Sequence, residues 1–435
     1  MNYYSTNNKE LTADFRTATI KGQPEDRGLY FPSAVPKLQE GFIDNLEQLS
    51  KEKIAFEVIR PYVSDSIPLS ELAKIIEATV NFDFPLVPID GGISSLELFH
   101  GPTLAFKDVG ARFMSRCLSY FARDDRRKVT VLVATSGDTG GAVANAFYDV
   151  PGVEVVILYP AGKVSSIQEL QLTTLGKNVT ALEVQGSFDD CQQMVKAAFS
   201  DRDLNQSMFL TSANSINVAR WLPQQFYYFF AWQQWKDREH VPVISVPSGN
   251  FGNICAGLVA RQSGLPIRHF IAACNANDIV PAYLQSGVYT PKPAVATLSN
   301  AMDVGDPSNF IRILELFAGS IGQLKEVVSG FTITDNETKK IIADVKKRNN
   351  YLLDPHGAVA YGALKKYLDQ HPEEKGLILE TAHPVKFYDV VEPVIHEKIS
   401  LPHAVGSLLK KEKRKIPIKP GKDQLKEYLM QEAKM

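Results

Sequence analysis

Cysteine is scarce. The chain has 435 residues and only four cysteines, Cys117, Cys191, Cys255 and Cys274. That number cannot staple a chain of this size, and no Cys-x-x-Cys occurs, which excludes a zinc ribbon or a thioredoxin-type redox pair. A reducing compartment fits such usage. Excess charge of one sign is also missing: the net charge is −2, so nothing global draws the chain to nucleic acid or to an anionic membrane. Long apolar runs are missing too. The longest, Phe226 to Trp235, is interrupted by Gln233 and Gln234 and is too short to span a bilayer as a helix. It reads as helix core or an inter-domain face. The stretch from Met1 to Leu11 is polar and lacks the apolar core of a secretory signal, so a cytoplasmic protein is expected. No His-Glu-x-x-His and no close Cys/His cluster is present, so no metal site is expected. His100, His356 and His383 are read as packing or hydrogen-bonding groups. There is no internal repeat.

What remains is ordinary globular composition, 44% hydrophobic and 22% charged, in a chain long enough for two or three domains. From Val129 onward, short apolar runs alternate with helical stretches. Strands are expected at Val129–Ala134, Val153–Leu158, Val179–Val184, Met208–Thr211, Val241–Val246, Arg268–Ala273 and Gly376–Glu380. Helices are expected at Ala142–Tyr148, Ser165–Leu175 with Ser165 as N-cap, Asp189–Phe199, Val218–Trp235 and Gly252–Gln262. Nearly continuous apolar strands separated by helices mean βαβ units and buried parallel sheets. Function should then sit where strand ends enter helices. The first 95 or so residues lack this rhythm. They hold helix-like stretches at Phe42–Ser50 and Leu69–Ala78 and read as a mostly helical region. The basic run Lys410 to Lys415 reads as a solvated tail or surface helix.

Three segments carry chemistry. Lys107 follows Gly101-Pro102-Thr103-Leu104-Ala105-Phe106 and precedes a helical stretch. A lysine desolvated there would hold a neutral, nucleophilic amine. Alone, the segment reads first as a surface lysine at a helix start. Ser248-Gly249-Asn250-Phe251-Gly252-Asn253 sits at a strand-to-helix turn. Its backbone N–H groups, with a helix dipole behind them, make either an anion cradle or simply a tight turn. No Gly-Lys-Ser/Thr follows and the pattern is not a full dinucleotide fingerprint, so a phosphate on a small cofactor is the better fit. Thr135-Ser136-Gly137-Asp138-Thr139-Gly140-Gly141 is a second such turn. It suits an anionic substrate group or a helix N-cap. Asp138 would repel an anion if it pointed inward, so it points away or has another role.

Together the three segments resemble pyridoxal-phosphate enzymes of the tryptophan synthase β fold, and among them the threonine synthase family most closely. Gly28-Leu29-Tyr30-Phe31-Pro32, Ser212 to Asn217 with Arg220, Asp303 to Asn309 and Asp354-Pro355-His356-Gly357 extend the resemblance over most of the chain. It implies an α/β protein of two open αβα lobes behind a mostly helical N-terminal region. The expected division is 1–95, a smaller lobe 96–210 with the lysine and the Ser-Gly-Asp loop, and a larger lobe 211–435 with the phosphate loop. By the same resemblance Lys107 is the Schiff-base lysine, Gly249, Asn250, Phe251, Gly252 and Asn253 bind the cofactor phosphate, and Thr381 faces the pyridine nitrogen. Ser136, Asp138, Thr139, Asn214, Ser215, Asn217 and Arg220 resemble the substrate-binding set. More distant relatives carry Asn where this chain has Asp138. The implied reaction converts O-phospho-L-homoserine and water to L-threonine and phosphate on pyridoxal 5'-phosphate. The implied assembly is a monomer or homodimer with no nucleic-acid or membrane partner. A phospholyase, a serine/threonine dehydratase or a non-catalytic cofactor-binding relative would share the scaffold.

Overall fold

The computed structural model describes residues 1–124 and 129–432. Two largely parallel sheets dominate it. The smaller has five strands in the order Ile416–Ile418, Val179–Val184, Val153–Pro160, Val129–Ala134 and Phe209–Ser212, all parallel. The larger has six: Val328–Thr332, His269–Cys274, Val243–Pro247, Gly376–Glu380, Ile93–Glu97 and Leu86–Pro88. Only the last pair is antiparallel. Every residue of Val129–Ala134, His269–Cys274 and Gly376–Glu380 is buried, as strands covered by helices on both faces must be. The expected parallel α/β architecture is therefore present, with strand bounds within two residues of those read from the sequence.

The chain moves between the sheets more than once. It enters the larger sheet with Leu86–Pro88 and Ile93–Glu97, builds four strands of the smaller one between 129 and 212, and returns to the larger from 243 to 380. It ends with Ile416–Ile418 at the edge of the smaller sheet, against Val179–Val184. The basic run before that strand is a surface segment tied down by ion pairs, with Lys415 on Glu169 at 2.9 Å and on Glu183 at 2.7 Å.

Three expectations need correcting. Phe42–Ser50 is not a helix; only a 3-10 turn forms, at Leu46–Gln48. The helix lies just beyond, at Lys51–Val63, and buries Ile54, Ala55, Val58, Ile59, Tyr62 and Val63. Pro61 sits inside it and masked it in the sequence, since proline usually ends a helix. The long helix Val218–Trp235 is broken at Pro223 into Val218–Trp221, a 3-10 turn Leu222–Gln225, and Phe226–Gln234. Its aromatic run is core, Phe226 to Phe230 being buried throughout. The N-terminal region also contains a small antiparallel sheet, Thr12–Ala13, Tyr3–Ser5 and Tyr30–Pro32, whose strands are too short to show a period. Among the described residues no helix is long and apolar enough to cross a membrane.

Candidate active site

Lys107 opens the helix Lys107–Phe121. The peptide ahead of it is held from two sides. The Phe106 N–H donates to the Thr381 carbonyl at 2.9 Å, and the His383 N–H to the Leu104 carbonyl at 3.1 Å. The Tyr227 hydroxyl donates to the Phe106 carbonyl. Behind it, the Asp108 carboxylate accepts from the Thr103 N–H at 2.9 Å and the Thr103 hydroxyl at 2.5 Å. Backbone bonds thus fix where the Lys107 side chain starts. Desolvation lowers the pKa of its amine; Asp138 works against this, and Lys386 and Arg220 reinforce it. The neutral, nucleophilic form gains accordingly.

The second turn follows the strand Val243–Pro247. Phe251 takes a left-handed conformation, φ +61°, which swings the chain directly into the helix Gly252–Gln262. The first intrahelical bond runs from the Cys255 N–H to the Phe251 carbonyl. The N–H groups of Gly252, Asn253 and Ile254 therefore precede the ladder and stay available to a ligand. Gly249 is required sterically: a Cβ there would lie 2.5 Å from the Met302 Cα. Asn250 braces the turn, donating to the Ser215 hydroxyl (2.8 Å) and accepting from the Ser308 N–H (2.7 Å). This is a cradle of neutral donors at a helix N-terminus, the arrangement that binds phosphate.

The Ser136–Gly141 loop leads into the helix Asp138–Phe147. The Thr135 hydroxyl shapes it by accepting from the N–H groups of Gly137 (3.0 Å) and Gly140 (2.8 Å). Asp138 lies in the first turn and is buried. Its Oδ1 accepts from Gln168 Nε2 at 2.9 Å and pairs with Lys386 Nζ at 2.6 Å. Burial alone would raise its pKa, but Lys386 and then Lys107 outweigh that and hold the carboxyl well below the usual carboxylate range. The Asp138 carboxylate is thus engaged at Oδ1 by two side chains of the chain itself.

Asn214, Ser215, Asn217 and Arg220 follow the strand Phe209–Ser212. Arg220 is buried; its Nη1 donates to the Ala213 carbonyl at 2.7 Å, and its Nε has no partner among the described residues. Asn217 departs from its expected role. Its Nδ2 donates to the Thr19 carbonyl (2.8 Å) and its Oδ1 caps the helix Val218–Trp221. With all its polar atoms used, it holds the N-terminal region against this segment and does not reach the cleft.

These turns converge on a cleft of about 1510 Å³. Lys107, Ser136, Asp138, Thr139, Asn214, Ser215, Arg220, Gly249, Asn250, Phe251, Gly252, Asn253 and Thr381 all line it. Asn300 to Asp303 and His356 line it as well; Asn300, Ala301 and Met302 carried no signal in the sequence. His356 is held by Asp354 at Nδ1, and its Nε2 accepts from the Ala301 N–H at 3.2 Å, so it braces that loop. This is the hydrogen-bonding role read for it. His383 likewise accepts from the Val385 N–H at 3.1 Å. Lys386 and Gln168 are also new to the site's surroundings. Lys386 carried only the signal of a lysine between apolar neighbours, and Gln168 none beyond its place in the first turn of a helix.

The donor set suits a phosphorylated aldehyde cofactor: a desolvated lysine, a backbone phosphate cradle, and a hydroxyl at Thr381. Buried polar atoms without a partner among the described residues, Asn253 Nδ2, Arg220 Nε and Asn214 Oδ1, leave bonds for ligands to make. Residues 95–380 match the family described as pyridoxal-phosphate dependent enzyme. Residues 2–80 match the threonine synthase N terminus, and 357–429 its C-terminal region. Threonine synthase of Escherichia coli K12 is 44% identical over 403 residues, covering 92% of this chain and 93% of that protein.

The chain belongs to the threonine synthase family. It is a pyridoxal-phosphate-dependent enzyme, a lyase of threonine biosynthesis. The crystal structure of threonine synthase from Escherichia coli superposes with a TM-score of 0.93 at 41% identity, over 99% of this chain and all of that one. The cofactor-bound threonine synthase from Brucella melitensis gives 0.93 at 33% identity over the whole of both chains. A tomato threonine deaminase, at 15% identity and a TM-score of 0.56, shares the fold alone.

Proposed function

We propose that the chain converts O-phospho-L-homoserine and water to L-threonine and phosphate, and that the cleft divides the work as follows. The observation that carries this reading is the convergence of Lys107, the cradle at 249–254 and the Arg220 side chain on one cleft. Lys107 holds the cofactor, the backbone cradle holds its phosphate, and Thr381 faces its ring nitrogen. When bound, pyridoxal phosphate supplies an electron sink for negative charge developing at the substrate Cα. The Lys107 amine, once free, takes the proton from Cα. The basic groups Asp138, Asp303 and His356 that line the cleft are already engaged by Lys386, by Thr297 and Asn275, and by Asp354 and the Ala301 N–H, so the same amine serves Cβ and Cγ, which lie within the sweep of one flexible side chain. Arg220 and the N–H groups of the 135–141 loop hold the departing phosphate, a dianion near neutral pH. Water then adds at Cβ, and Cγ ends as a methyl group. The enzyme works in the cytoplasm as a monomer or homodimer.

Product analysis tests this. Cofactor-loaded protein given O-phospho-L-homoserine should release threonine and inorganic phosphate in equal amounts. Phosphate with 2-oxobutyrate, or no phosphate, would overturn the assignment of the reaction.

A further inference from the structure

Lys386 is a buried lysine that nothing in the reaction above uses. It sits in the 3-10 turn Pro384–Phe387, five residues beyond Thr381. Its side chain is fully buried. Its Nζ makes two contacts, with Asp138 Oδ1 at 2.6 Å and the Thr103 carbonyl at 2.9 Å. The turn that carries it is stitched to the segment that carries Lys107. Ala105 bridges Ala382, and the Phe106 and His383 N–H groups complete the pairing. Asp138, held between Lys386 and Gln168, lines the same cleft as Lys107.

We infer that Lys386 is a positioning residue for the reaction: it neutralises Asp138, and the buried pair fixes the charge presented to Lys107 in the cleft that Asp138 and Lys107 both line. The inference rests on the reading of Lys107 as the cofactor's lysine. Two charges buried against each other gain little over apolar packing of the same volume, so stability alone gives no reason for the pair to be there. Its location does. An ionised carboxylate beside Lys107 with no counter-charge would lock that amine as ammonium. A neutral side chain in its place would leave the amine with only Arg220 and Lys386 nearby, both cations. With Lys386 present, the charges facing Lys107 are Asp138 from the helix Asp138–Phe147, Lys386 from the 384–387 turn and Arg220 from the helix Val218–Trp221. Asp138 favours the ammonium form, and the two cations oppose it. The pair therefore balances the site, and either member removed alone tilts it. This also answers why an aspartate is tolerated at the mouth of a loop expected to receive anions: its charge is already spent on a lysine inside the protein.

The test is a pH titration of the visible band of the bound cofactor in the loaded enzyme. It compares the unaltered protein with Lys386→Met, Asp138→Asn and the double variant Asp138→Asn/Lys386→Met. Lys386→Met removes the cation that opposes the ammonium form and offsets Asp138, and loss of one nearby like charge shifts a titration by about one unit. The midpoint should rise by about one unit, a tenfold gain in proton affinity. Asp138→Asn should lower it. The double variant, which keeps the net charge, should fall between the two single variants, because the two removals act on Lys107 with opposite sign. It also removes the unpaired buried charge, so it folds even where Lys386→Met does not. A midpoint unmoved by Lys386→Met, shifts of the same sign in both single variants, or a double variant displaced as far as Lys386→Met would overturn the inference. Borohydride reduction and peptide mapping of the unaltered enzyme should find the cofactor on Lys107. Cofactor on another lysine would overturn the underlying reading, and the inference with it.

Discussion

The turns at 135–141 and 248–253 are built alike and do different things. Each follows a buried parallel strand, carries two or three glycines and enters a helix whose N-terminus opens on the same cleft. At 248–253 every side chain is neutral, and the braces come from Asn250 and the Tyr228 hydroxyl on Asn253. The helix dipole there is unopposed. At 135–141 an aspartate already occupies the first helical turn and is neutralised by a lysine 248 positions away. A glycine-rich turn at a helix N-terminus can thus carry a carboxylate beside its backbone donors, provided that a cation of the chain offsets it.

Removing the amine that lies between the two turns should have the largest effect. Lys107→Ala should lose the visible band of bound cofactor and all measurable turnover. A retained band would show that another group holds the cofactor.

The glycines sharpen the comparison next. In Gly249→Ala the new Cβ meets backbone, the Met302 Cα at 2.5 Å, and the cradle must move. Strain of about 1–3 kcal/mol at such a contact should weaken cofactor binding by roughly ten- to a hundredfold. In Gly140→Ala the Cβ meets side chains instead, Thr135 Cγ2 at 2.5 Å and Leu172 Cδ2 at 2.6 Å. That variant should lose about 1–3 kcal/mol of stability while cofactor affinity stays within a few-fold. Equilibrium cofactor titration and denaturant unfolding of both variants separate the two outcomes. Equal loss of affinity in both would erase the distinction between the turns.

Most of the strand–helix alternation was legible because buried parallel strands leave a clear signature of short apolar runs. The candidate cleft was legible at its loops, where glycines and small polar residues mark turns that meet a ligand. What escaped was everything whose meaning depends on a distant partner. Lys386 lies in an apolar stretch, and nothing in its neighbours points to Asp138. The resemblance counts Asn217 with the substrate-binding residues, yet its amide is turned to Thr19. The edge strand Ile416–Ile418 is three residues long and exists because Val179–Val184 offers it an edge. The helix Lys51–Val63 was hidden by a proline that tertiary packing overrides.

Arg220→Gln tests the part of the cleft where charge rather than backbone meets phosphate. A charge-assisted hydrogen bond is worth about 1.5–3 kcal/mol, so kcat/KM for O-phospho-L-homoserine should fall by roughly ten- to a hundredfold, with the cofactor band retained. Thr381→Ala should also keep the cofactor and lose rate by a smaller, few-fold factor. Full activity would reject a role for its hydroxyl at the ring nitrogen.

The smallest effect on catalysis is expected at Asn217, on the same segment as Arg220 but turned away from the cleft. Its Oδ1 accepts from the Ala219 N–H at 2.9 Å and its Nδ2 donates to Thr19 at 2.8 Å, both fully buried. Replacing a capping asparagine by alanine costs about 0.5–2 kcal/mol, and here the Thr19 carbonyl is left without that donor as well. Asn217→Ala should therefore lower the midpoint of unfolding without raising KM. A raised KM at unchanged stability would return Asn217 to the substrate and mean that the segment rotates when the cleft is filled. Arg220 and Asn217 are three residues apart on one short helix, so such a rotation would also carry the guanidinium, and the two variants would then shift KM together.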